Sequence, residues 1–249
     1  TSIGQEAFRY CYSLANITIP DTVSQINQYA FSNCTSLKTL RLPAGINTLS
    51  SYLFSDCTSL TEITLPENIT SISDHAFCNC KSLKSIHIPS NINKIDGAAF
   101  ANCENLRTLT IDEGVTYIGS GVFSNCTGLT EVILPDSLTN VEGSAFSNCT
   151  SLRKVKLSNE MTRLNNLMFS YCTSLTEIDI PESVTSIGDD AFNGCTSLKT
   201  VKISNEVTSI GSSAFQGCAA MTNIVIPGNV ASIGYRAFYN CTSLKNVEI

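Results

Sequence analysis

Eleven cysteines recur every 23 residues, at Cys11, Cys34, Cys57, Cys80, Cys103, Cys126, Cys149, Cys172, Cys195, Cys218 and Cys241, with no insertion anywhere. All 11 Phe stand three residues before one of them, and all 7 Pro stand nine residues after one. A period this regular dictates how the chain can fold. A 23-residue unit cannot bury its own apolar face, so the units must stack, with Phe on Phe, Leu on Leu and Cys on Cys.

The unit reads V-T-S-I-G-x-x-A-F-x-x-C-T-S-L-x-x-I-x-I-P-x-x. Leu37, Leu40 and Leu42 end in the in-out alternation of a short strand. Pro43 closes that strand because it has no N–H to continue a ladder. Ile46 and Leu49 are three apart, and Leu53 and Phe54 lead to Cys57 in steps that suggest a short helical or 3₁₀ segment. Gly119, Gly188, Gly211 and their equivalents mark the turn before it. The expected fold is therefore an α/β solenoid of about eleven coils. Each coil carries one short parallel strand on one face, with turns and short helical or 3₁₀ segments opposite. At ~4.8 Å per strand the stack is about 50 Å long. No domain boundary interrupts residues 1–249, which read as a single repeat domain and as a segment of a longer protein without its caps.

Composition removes other classes. No stretch approaches the roughly 20 apolar residues of a membrane span, and 43% hydrophobic residues with 11 Phe and 8 Tyr argue against disorder. A net charge of −6 disfavours nucleic acid as the main partner.

The cysteines sit between an apolar Phe and an apolar Leu, where a small thiol fills a tight corner, so they are expected to be reduced and structural. Cys78 is the one outside the series, and with His75, Cys80 and His87 it raises the thought of zinc. His75 and His87 are 12 residues apart in a 23-residue turn, hence on opposite sides of a coil, and no metal or cofactor is expected. Four of the N-x-S/T sequons, at Asn33, Asn125, Asn148 and Asn240, are by-products of an N-C-T turn that favours Asn for its backbone geometry.

The run L-x-x-I-x-I-P followed by I-G-x-x-A-F-x-x-C at 23-residue spacing resembles the BspA-like, or Treponema-type, class of leucine-rich repeats, and the resemblance covers the whole chain. Departures are small: Asp112, Ser158 and Ser204 stand for the proline, Met221 for Leu, and Leu53, Val122 and Met168 for the Ala before Phe. The resemblance implies a leucine-rich repeat solenoid at the cell surface or secreted, used in adhesion to host matrix proteins or other cells, with the sheet face as its binding side.

On that face, four, five and seven residues after each Cys, stand ten basic and five acidic residues, about +5, against about −11 for the rest of the chain. The candidate ligand-binding residues are Arg107, Arg153, Lys154, Lys156, Glu177, Asp179, Lys199 and Lys202. A structural reading competes with this one, in which Lys154 opposes Glu177 and Asp179 lies between Lys156 and Lys202 as cross-strand pairs. No break in the repeat assembles a nucleophile, base and stabiliser, so no catalysis is expected. The expected function is a non-enzymatic module binding a host matrix or cell-surface protein or a glycan. Its alternative is a structural spacer presenting another domain. No membrane insertion is expected, and the protein should be a monomer, with end-to-end association of the coil edges possible.

Overall fold

The computed structural model describes residues 1–249. It is a right-repeating stack in which every 23-residue unit makes one coil, and two sets of short parallel strands run along it. The first set is the expected one, ten strands from Thr39–Arg41 to Asn246–Glu248; all but the last, which is exposed throughout, carry a buried or half-buried residue between two exposed ones. The second set, eleven two-residue strands from Ser2–Ile3 to Ser232–Ile233, was not expected. It uses the Ile46 and Leu49 segment, whose spacing of three had suggested helical steps; Thr48 pairs with Ser71 and Leu49 with Ile72.

No helix forms, which corrects the α/β assignment: the molecule is an all-β solenoid with tight turns at the third corner. The reason is visible in the turn before each cysteine. Ala30, Ser32 and Cys34 donate their N–H three residues back, to Asn27, Tyr29 and Phe31, while Tyr29, Phe31 and Asn33 between them donate to Ser51, Leu53 and Ser55 of the next coil. A helix needs every N–H for its own turns. Here alternate ones are spent on the neighbouring coil.

The same corner reverses backbone handedness twice per coil. Residues five and one before every repeat cysteine have φ between 52° and 72°, as at Ala98 and Asn102. The second of these columns is mostly Asn, with Gly194 and Gly217, residues that tolerate the left-handed region. This is the geometry behind the N-C-T sequons. The first column is chemically mixed, holding Tyr29, Tyr52, Ala98 and Leu167, and pays for its conformation. Ala98→Gly is therefore expected to stabilise the protein by ~1 kcal/mol in urea unfolding, whereas Ala99→Gly, next to it and buried, should destabilise it. A loss on Ala98→Gly would show that the turn carries no such strain.

Inside, the Phe rings form one column from Phe8 to Phe238, near-parallel with centroids 5.1 to 5.6 Å apart. Beside it all twelve cysteines are free thiols. From Cys34 to Cys241 each repeat Sγ donates to the carbonyl of the Phe in the preceding coil, as Cys126 to Phe100 at 3.3 Å and Cys149 to Phe123 at 3.2 Å. That carbonyl also accepts the N–H of its own coil's cysteine, so the thiol fills its second lone pair. Burial pushes the ladder thiols from Cys34 to Cys195 up, Cys149 and Cys195 to about 12.

Where Asp112 stands in place of the proline the strand pairing extends by one bond. Asp112 N–H donates to Ile88 at 3.0 Å, a bond proline cannot make, and Ser85–Ile88 and Thr108–Ile111 are the longest strands.

The second ladder is interrupted at two junctions, between Gln25–Ile26 and Thr48–Leu49 and between Asn140–Val141 and Arg163–Leu164. The coils that follow these junctions carry Leu53 and Met168 where most coils have Ala. At both, a side chain takes over a backbone bond: Ser50 Oγ donates to Ile26 at 2.6 Å and Asn165 Nδ2 to Val141 at 2.7 Å.

Candidate functional site

All eight candidate residues are exposed on the first sheet face. The strands position them: with the middle residue of Lys154–Lys156 turned inward as Val155, Lys154 and Lys156 must point out, and the same alternation exposes Glu177 and Asp179 around buried Ile178. Arg107, Arg153 and Lys199 stand one residue before their strands.

The charges pair differently from the simple column reading. Lys154 lies opposite Glu131 in register and bridges it at 3.3 Å; it makes no ion pair with Glu177. Asp179 is opposite Lys202 in register, without a bridge. Arg41 is taken by Asp21 at 2.9 Å, and the Arg41 guanidinium with the Ala44 N–H holds the Asp21 carboxyl below the usual carboxylate range. His87 Nε2 sits 2.9 Å from Asp112, while His75 stacks on Tyr52 at 4.5 Å on the turn corner. The two histidines thus lie on separate sides of the coil, and Cys78 is buried.

The sheet face is not one continuous sheet. Its strands hydrogen-bond in twos: Glu131–Ile133 with Lys154–Lys156, then Glu177–Asp179 with Thr200–Lys202, then Asn223–Val225 with Asn246–Glu248. Between those ribbons the bonds stop. Arg153 N–H donates to Thr130, Lys199 to Thr176 and Lys245 to Thr222, but no bond joins Thr130 to Arg107, Thr176 to Arg153 or Thr222 to Lys199.

Two of these seams open as clefts. One, of about 370 Å³, is lined by Arg107, Thr108, Leu109, Thr110, Ile111, Thr130, Glu131 and Ile133. The other, of about 380 Å³, brings four candidates together, Lys154, Lys156, Glu177 and Asp179, with Asn159 and the apolar floor of Val155, Leu157, Ile178 and Pro181. Lys199 and Lys202 stand one ribbon strand further on and Arg107 two coils before, outside that cleft. Such a face offers charge and hydrogen-bonding groups of both kinds in shallow recesses, which suits recognition of an extended polar partner.

Sequence reasoning missed the seams. Their signal was present in the residue four after each cysteine, which from coil five onward alternates Arg107, Thr130, Arg153, Thr176, Lys199, Thr222, Lys245.

The whole chain matches the family described as BspA type leucine-rich repeat region, over residues 1–130, 94–220 and 166–249. Among solved structures it is similar to a leucine-rich repeat protein of Bacteroides ovatus, with 29% identity, a TM-score of 0.76, and coverage of 100% of this chain and 76% of that one. It is also similar to a leucine-rich cell surface protein of Faecalibacterium prausnitzii, with 32% identity, a TM-score of 0.58, and coverage of 100% and 69%. The pneumococcal vaccine antigen PcpA, at 18% identity, a TM-score of 0.53, and coverage of 99% and 67%, shares the fold. No curated protein matches. The 23-residue coil with its Phe column and thiol ladder places the chain in a known group: it belongs to the BspA-type leucine-rich repeat family.

Proposed function

We propose that the chain is a non-enzymatic recognition module of a cell-surface or secreted protein, binding a protein or glycan through the first sheet face. The observation that carries this is the contrast between columns: inward positions keep Phe, Cys or a residue of one apolar class coil after coil, while outward strand positions change from Glu131 to Lys154 to Glu177. A spacer needs only the former. The likeness to a cell surface protein of F. prausnitzii supports the location.

The test is binding to a panel of matrix proteins and glycans at two salt concentrations, beside a Lys156→Glu, Lys202→Glu variant. Neither lysine is held in an ion pair. Affinity should fall about tenfold or more, with the melting temperature within about 2 °C of wild type, since both sites are exposed. Silence across the panel would leave the spacer as the better reading.

A further inference from the structure

The geometry points to a linear anionic polysaccharide as the ligand of this face, one whose carboxylate or sulfate recurs once per disaccharide, lying along the solenoid axis across the seams. The inference rests on the recognition reading above and adds the ligand class and the residues that hold it.

Arg107, Arg153, Lys199 and Lys245 follow one another at 46 residues, so a cation recurs every second coil, and the first three each face a threonine across a seam. At ~4.8 Å per coil that is about 10 Å, the length of one disaccharide unit. None of the three is in an ion pair, and their column contains no carboxylate at all.

The seams give the second observation. Each of these three begins a seam, and on the far lip stands a threonine, Thr130, Thr176 or Thr222, whose backbone N–H is bonded to nothing in the protein. A cation thus stands across a seam from a free N–H and a hydroxyl at three stations along the axis, and all three kinds of group can donate to an anionic oxygen. At the first station they share one cleft. At the second the cleft opens one residue further along, from Lys154 to Asp179.

Spacing separates this ligand from other polyanions. An extended acidic peptide presents side chains to one face every ~6.7 Å and falls out of step with the stations. Nucleic-acid strands carry a phosphate about every 3.4 Å, which leaves most charges unmatched. Two carboxylates stand beside the row. Glu131 is neutralised by Lys154, whereas Glu177 is unpaired in the second cleft and works against an anion.

The experiment measures binding of the purified chain to hyaluronan, which carries carboxylate alone, to chondroitin sulfate, which carries carboxylate and sulfate, and to dextran, polyglutamate and duplex DNA. Size-defined chondroitin sulfate oligosaccharides form a second series. Affinity should rise about tenfold per station from di- to tetra- to hexasaccharide and change less than about threefold beyond, because three stations are then filled. The Arg107→Glu, Arg153→Glu, Lys199→Glu variant should lose binding with its fold intact by circular dichroism, and Glu177→Gln should bind several-fold tighter. Preference for hyaluronan or for chondroitin sulfate tells which anion is read. Equal binding of polyglutamate and DNA, or affinity that ignores oligosaccharide length, would overturn the inference. If no polysaccharide binds but a matrix protein does, and Lys156→Glu, Lys202→Glu abolishes that, the ligand class is wrong and the recognition reading stands. If nothing binds, both fall.

Discussion

Raising the pH above about 9 should unfold this protein abruptly. Cys80, Cys103, Cys126, Cys149, Cys172 and Cys195 are fully buried, and burial raises each above the ordinary thiol value. Below that ordinary value folded and unfolded chains both keep these protons, and the stability is fully present. Above it the unfolded chain ionises while the folded one stays protonated, so stability is lost as pH climbs toward the folded values, about 12 for Cys149 and Cys195. Each thiol removes about 1.4 kcal/mol per pH unit, and six remove about 8. A stability on the order of 10 kcal/mol is exhausted within one or two units. Urea midpoints at pH 7, 8, 9, 10 and 10.5 should be flat at first and then collapse. A Cys126→Ala, Cys149→Ala variant should lose about two protons from the slope, which separates the thiols from Lys and Tyr titrating nearby. A midpoint unchanged to pH 10.5 would contradict the buried thiol ladder.

The second large effect is Phe123→Ala, expected to cost about 4 kcal/mol. Its ring is stacked at 5.5 Å on Phe100 on one side and on Phe146 on the other, and the surrounding coils are tied too closely by hydrogen bonds to collapse into the hole. Because coils touch only their neighbours, the cavity also weakens the coupling of the two halves, and urea unfolding should split into two steps. Phe8→Ala, which removes only the stack on Phe31, should cost less and leave one step. A single step for Phe123→Ala with a loss under about 1 kcal/mol would mean that the column is not the spine of the fold.

The stack, its period and its first strand were legible because each depends on residues that one coil repeats in the next: Phe123, Cys126 and Leu129 show their burial in the sequence. The third corner was misread as helical because left-handed residues leave little compositional trace where the column is mixed; Tyr52 and Leu167 look like ordinary helix neighbours. The candidate face was correctly placed on the exposed side, but its pairing was not. Column order says that Lys154 neighbours both Glu131 and Glu177, and only the uneven backbone ladder decides for Glu131. The seams themselves arise from breaks in backbone bonding, which no single residue type announces.

One junction has mechanical meaning. Between coils seven and eight both ladders are interrupted, and the backbone bonds that remain are those of the third corner, Ser144 to Asn166, Phe146 to Met168 and Asn148 to Ser170, helped by the side-chain bond from Asn165 to Val141. The Phe column and the apolar core run through it without a break, with Phe146 stacked on Phe169 at 5.6 Å. The junction holds fewer backbone bonds than those on either side, and the cleft between Lys154 and Asp179 lies across it, so a load along the axis is expected to part the coils there first.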